Sequence, residues 1–282
     1  MSSVAVRTQP RRAIAASLWA FVRRHALAAY SFLFFAYLLL PIGVVIAFSF
    51  NQPAGRFNYT WDGFTWDNWV HWDAVPGLRS AIVLSLEIAL IASIVATVLG
   101  TLIALALVRY RFRGRAGTNL LVFLPLSTPE VVLGASLLTL FLNVSFVTFG
   151  FWTILIAHVM FCISFAVVTV KARLIGFDRH LEEAAMDLGA NEWMTFVKVT
   201  LPLIAPAILA ALLLCFAISI DDFVVTYFNS GASVTFPLFV WGAARVGAPP
   251  QVNVIGTAIF AVAVGAMLAN VLLQTRRSKG AA

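Results

Sequence analysis

Four carboxylates stand inside stretches that are otherwise apolar: Glu87, Glu130, Asp221 and Asp222. An ionised carboxylate is costly in hydrocarbon, so such residues usually face a bundle interior or a wet cavity and mark an ion or substrate path. Their shared sign would draw a cation. The bland alternatives are that Asp221 and Asp222 are solvated at a helix end, or pair with Arg79 or Arg245. Other chemistry is missing from the chain. A phosphate-cradling loop needs glycine before its lysine, whereas Lys171, Lys198 and Lys279 follow Val170, Val197 and Ser278. His25, His71, His158 and His180 have no metal-ligand spacing, and His158 reads as a packed, hydrogen-bonded side chain. No nucleophile is paired with a base. The chain therefore reads as a non-enzyme that binds no metal and no cofactor of its own.

The elements that must hold these acids are membrane helices. The 282 residues are 61% hydrophobic and 11% charged, against about 25% charged in a soluble domain. A span needs ~20 apolar residues, and six stretches qualify: 28–50, 81–108, 118–141, 147–170, 203–229 and 253–274. Of the 19 Lys and Arg, all but Arg56, Arg79 and Arg245 fall on one side of these spans. Cationic loops stay in the cytoplasm, which places both termini and the 178–202 loop inside. The excess of basic charge is thus a topology signal and implies no nucleic acid. The predicted organisation is a basic amphipathic segment over 1–29, with Ile14, Leu18 and Phe21 opposite arginines, a six-helix membrane domain over 30–275, and a basic tail over 276–282.

Depth follows from the 1.5 Å rise per residue. Glu130 lies ~18 Å from the cytoplasmic start of its span, near mid-membrane, and Asp221 and Asp222 some 27–28 Å along theirs. Glu87 falls in the external half. Pro125 and Pro129, in LPLSTPE, predict a kinked or broken third span, with Pro129 opening a restarted helix and Glu130 at its positive end. The segment 236–253 is too polar and broken to span. Ala261, Gly265 and Ala269 form a small-residue ridge on the last helix. Cys162 and Cys215 sit in apolar runs as packing residues, with no disulfide framework. Trp61, Trp66, Trp69 and Trp72 in the first external loop suit a membrane–water interface.

The one long polar interruption on the inner side is HLEEAAMDLGANEWMTFVKVTLP, His180 to Pro202. It reads as two short helices. Asp178 can cap the first, Glu182 and Glu183 favour its positive end, and Leu181, Ala184, Ala185 and Leu188 share a face. Gly189 suits a left-handed helix end. Asn191 caps the second helix, whose Trp193, Phe196, Val197 and Thr200 share a face, and Pro202 is expected to stop it.

Glu183-Ala184-Ala185, three residues, Gly189, nine residues, Val199, one residue and Leu201-Pro202 resemble the EAA loop of ATP-binding-cassette importer permeases, with valine for the usual isoleucine. The bland alternative, an amphipathic hairpin, would not demand these residues in this register. SIDDFVVTYF, Trp61-Asp62-Gly63-Phe64-Thr65 and Gly247-Ala248-Pro249-Pro250-Gln251-Val252-Asn253 are similar to the spermidine/putrescine branch of that family. The resemblance implies an all-α, six-helix type I importer permease of the MetI-like fold in a bacterial inner membrane. It implies coupling to an ATPase through Glu183, Ala184, Ala185, Asp187, Gly189, Leu201 and Pro202. A substrate path at Glu87, Glu130, Asp221 and Asp222 and a binding-protein contact at Trp61 and Trp66 follow the same pattern. The partners implied are two ATPases, which would use ATP and Mg, a second related permease and an external substrate-binding (lipo)protein. Two other readings stay open: a permease for a phosphonate, amino acid or iron complex, and an ion-gradient-driven transporter, which would have no use for an ATPase docking loop.

Overall fold

The computed structural model describes residues 10–55, 57–144 and 147–279, and side chains over 25–265 of that range and at Leu268. In chain order the helices are α1 (Pro10–Phe48), α2 (Asp67–Val70), α3 (Leu78–Arg109), α4 (Arg115–Ser127), α5 (Glu130–Asn143), α6 (Phe151–Ile175), α7 (His180–Asp187) and α8 (Glu192–Thr195). A π turn, Phe196–Thr200, leads into α9 (Leu201–Asp221), followed by α10 (Val224–Asn229), α11 (Phe236–Val246) and α12 (Pro250–Lys279). The chain is an all-α membrane protein. Two compact units are formed, one from residues 1–74 and 247–282, the other from 75–246.

In the first unit α1 packs with α12, and α2 also meets α12. The face expected from Ile14, Leu18 and Phe21, and Ala269 of the predicted ridge, lie outside the described side chains. Between α1 and α2 the chain is wired to Asn51. Its amide donates to Asn58 Oδ1 at 2.7 Å and to the Thr60 carbonyl at 2.6 Å, while its oxygen accepts from Asp62 N at 2.9 Å. Phe50 stacks on Trp69 and meets the edge of Trp66. The loop is thereby fixed with Trp61 and Trp66 exposed.

In the second unit α3, α6 and α9 form the core. Helices cannot use the hydrophobic effect to associate in lipid, so small residues that let backbones approach matter most. The buried side of α3 is Ala92, Ser93, Ala96, Thr97, Gly100, Thr101 and Ala104. A Cβ built on Gly100 would fall 2.5 Å from Ala166 Cβ and 3.1 Å from Val167 N.

Two sequence expectations concern proline, and one of them fails. The third span is broken, as Pro125 and Pro129 predict: α4 and α5 are bent by 112°. Thr128, squeezed by the Pro129 ring, is extended at φ −88°, ψ 132°, and its hydroxyl donates to Leu124 O at 2.7 Å. That bond helps satisfy backbone freed by the break. Pro129 caps α5 and Glu130 is its first residue, one place on from the expected start. Pro202, by contrast, does not stop the second loop helix. The π turn widens the backbone just ahead of it, and the helix runs on into α9, giving one apolar rod from Glu192 to Asp221. Among the described residues four helices are long and apolar enough to cross a membrane, five if α4 and α5 count as one. The expected sixth span, 253–274, extends past the described side chains.

Gly100→Val should destabilise the second unit by about 1–3 kcal/mol through overpacking of α3 against α6. Thermal unfolding in detergent checks this, with Gly242→Ala, whose added Cβ meets nothing within 4 Å, expected to leave the transition unchanged.

Candidate functional site

Two places in the second unit gather the residues that sequence reading singles out. The first is the α7–α8 hairpin. Asp178 accepts from His180 N at 3.0 Å at the start of α7, Gly189 turns the chain at φ +89°, and Asn191 Oδ1 accepts from Met194 N at 2.8 Å to start α8. Glu183 is exposed and meets His180 Nδ1 at 3.1 Å. Ala184 and Asp187 are exposed and Ala185 half-buried. Leu188, at 90% exposure, and Trp193 leave an apolar surface uncovered.

The residue that fastens this hairpin is Glu182, which sequence reading assigned only to the helix dipole. Its side chain is 12% exposed and pairs with Arg109 at the end of α3. Arg109 approaches both carboxylate oxygens, Nη2 lying 2.6 Å from Oε1. The Thr200 hydroxyl donates to Oε1 from the last residue of the π turn. Arg109 also lies over the Phe177 ring at 5.4 Å, and Arg179 donates to Val108 O at 3.3 Å. Burial pushes the Glu182 carboxyl upward, but the bonds from Arg109 and Thr200 outweigh it and hold the group below the ordinary glutamate value. A fork-to-carboxylate pair of this kind fixes both distance and angle.

The second place is a cavity of about 340 Å³ where two helix interruptions meet. Glu130 comes from the α4–α5 break, and Asp221 and Asp222 from the α9–α10 break. Phe161, Phe165 and Phe223 supply aromatic surface. Irregular backbone at membrane depth is tolerated where it lines a cavity, and carboxylates with aromatic faces suit a cation. The acids are not equivalent. Asp222 has a side chain only 7% exposed, and its Oδ2 accepts from Thr226 N at 2.8 Å and Thr226 Oγ1 at 2.7 Å. Asp221 and Glu130 are exposed. Glu87, exposed on α3, is not among the cavity's lining residues. Among the described residues neither aspartate pairs with Arg79 or Arg245; the latter covers the Trp241 ring at 4.4 Å instead. His158 is 2% exposed and hydrogen-bonded at both ring nitrogens.

The profile for "Binding-protein-dependent transport system inner membrane component" matches residues 96–276. The spermidine/putrescine transport system permease protein PotC of Haemophilus influenzae is 38% identical over 251 residues, covering 89% of this chain and 96% of that one. The putrescine transport system permease protein PotI of Escherichia coli is 38% identical over 232 residues, 80% and 82% of the two chains. A bacterial ABC transporter that imports the acidic polysaccharide alginate has a similar fold, with a TM-score of 0.66 at 16% identity over 93% of this chain and 99% of that one. The MetNI methionine ABC transporter follows, with a TM-score of 0.56 at 14% identity over 69% and 94%.

Arg109→Ala would strand the Glu182 carboxylate, at a cost of roughly 2–3 kcal/mol, less than for a fully dry pair because both side chains keep some solvent. Hydrogen exchange over residues 178–200 should quicken while the α3–α6 core stays protected. In the parent protein the same protection should be complete above the ordinary glutamate pKa of 4.5 and fade as pH falls through the lowered native value. Loss of protection on raising the pH instead would contradict the assignment.

Proposed function

Because the chain belongs to the family of binding-protein-dependent transport system inner membrane components, we propose that it is the translocation subunit of an ATP-driven importer that carries polyamines, as the names of its relatives suggest. The chain is a multi-pass membrane permease, not an enzyme. Its membrane would be the bacterial inner membrane, with both termini in the cytoplasm. It would pair with a second related permease, two ATPases that consume ATP with Mg, and an external binding protein. The observation that carries the polyamine reading is the meeting of Glu130 and Asp221 at one cavity bordered by phenylalanines. Polyamines are flexible polycations whose ammonium groups need carboxylates and whose methylenes need apolar surface. A shallow, partly wet site can bind them and still release them.

Coupling would run through the hairpin. Its exposed Glu183, Ala184, Asp187 and Leu188 form the surface offered to an ATPase, while Ala185 is half-buried and Leu201 and Pro202 are exposed at the start of α9. ATP binding would close the ATPases, move the hairpin and open the cavity outward, and hydrolysis would reopen it inward. In the first external loop, Trp61 and Trp66 would face the binding protein or the lipid interface.

Purifying the chain with its genomic neighbours, and finding which solutes the external binding protein retains, tests the cargo directly; retention of an anion alone would end the polyamine reading. Glu183→Ala should cut transport at least several-fold and loosen ATPase association while membrane insertion stays normal; co-purification yield and uptake measure both. Asp221→Asn and Glu130→Gln should each raise the half-saturating polyamine concentration roughly tenfold, the worth of one charge-assisted contact. Uptake kinetics in vesicles check this, and unchanged values in both variants would remove the acids from the path.

A further inference from the structure

His158 on α6 reaches across the break between α9 and α10. Nδ1 lies 2.7 Å from Ser219 Oγ, two residues before Asp221, and Nε2 lies 2.9 Å from Thr226 Oγ1 in α10. Nε2 is also 3.4 Å from Asp222 Oδ2. The proton directions are determined by the last link. Thr226 gives its hydroxyl proton to Asp222, so it must accept from the ring, and Nε2 carries the hydrogen. In the neutral imidazole Nδ1 is then an acceptor and takes the Ser219 hydroxyl proton. The chain Ser219, His158, Thr226, Asp222 is satisfied in one direction, and Thr226 N–H adds a second bond to the same carboxylate oxygen.

Packing alone does not call for this. A phenyl ring would fill similar space with no polar atoms to satisfy, and buried polar networks are worthwhile only when every member is paired. The geometry here does something specific. One ring holds the helix on each side of an interruption that covers Asp222 and Phe223, with Asp222 extended at φ −61°, ψ 121°. Both aspartates border the cavity, but Asp222 is engaged by the network, whereas Asp221 beside it is exposed there with Glu130.

We infer that His158 is a positioning residue for cargo binding: by bridging Ser219 and Thr226 it sets the α9–α10 break that aims Asp221 into the cavity, while Asp222 serves as the internal anchor. This rests on the reading of the cavity as the polyamine path. Asp222 accordingly acts through the fold, and Asp221 touches the cargo.

The test uses the whole transporter, reconstituted with its partners, taking up labelled spermidine and putrescine. His158→Phe and Thr226→Val should raise KM roughly tenfold with kcat within about twofold of the parent, since each interrupts the buried hydrogen-bond chain. His158→Gln, which keeps a donor and an acceptor, should recover most of that loss. A fall in kcat at unchanged KM in His158→Phe and Thr226→Val would make the histidine ordinary packing and overturn the inference. Should His158→Phe fail to assemble by size exclusion, Thr226→Val, which keeps the shape of threonine, decides the matter alone. Asp221→Asn is run in parallel. Normal kinetics there would sink the cavity reading itself, whereas an impaired Asp221→Asn beside a normal Thr226→Val and His158→Phe would sink only the role given to His158.

Discussion

A single largely buried ion pair holds the α7–α8 hairpin to the rest of the second unit. Arg109 ends α3, Glu182 sits in α7, and Thr200 closes the π turn that opens α9. Without that three-way junction α7 would be an eight-residue helix joined to the bundle only by its flanking chain, too short to hold its shape unaided. With it, the hairpin has a defined position while its outer surface stays free. The carboxylate has three hydrogen bonds from two side chains, which makes its burial tolerable. The division of labour between neighbours is clear: Glu182 points inward to hold, and Glu183 points outward.

The membrane imposes the second constraint, that every backbone group be satisfied without water. Both interruptions at the acidic cavity meet it with side chains. At the α4–α5 break the Ser127 and Thr128 hydroxyls bond back to Phe123 and Leu124 carbonyls. At the α9–α10 break Asp222 takes over the capping of Thr226. The cavity is therefore not a packing defect between straight helices. Two strands of backbone are bent there deliberately, and carboxylates are set at both bends.

Much of this was legible in the sequence, for local reasons. Apolar runs long enough to span, a glycine needing φ +89° at position 189, an asparagine cap at 191 and a proline break at 129 are all signals carried by nearby residues. What stayed hidden depends on distant pairings. Nothing in EEAA says that the first glutamate is buried and the second exposed, because the deciding partner, Arg109, is 73 residues away. The two aspartates at 221 and 222 look alike in one dimension; Thr226 bonds Asp222, and His158, 68 residues before Thr226, orients that bond. Pro202 misled for a subtler reason. A stop signal becomes a continuation when a π turn precedes it, and π turns have no reliable local signature.

The two sites are joined by one element. α9 begins at the residue after Thr200, which holds Glu182, and ends at Asp221. Its 21 residues make a rod of about 31 Å at 1.5 Å per residue. On the proposed function, displacement imposed at the hairpin end would be carried along this helix toward the acid end. There the rod meets the His158 network, whose bonds to Ser219 and Thr226 lie on opposite sides of the break. Sliding α9 past α6 would strain the first of these bonds before the second, turning Asp221 relative to Glu130 and Phe161. On the proposed function, this is how a subunit with no nucleotide site of its own would tighten and loosen its hold on a polycation. In that reading the ion pair would supply the grip, α9 would transmit the movement, and the broken helix would convert translation into reorientation of a single carboxylate.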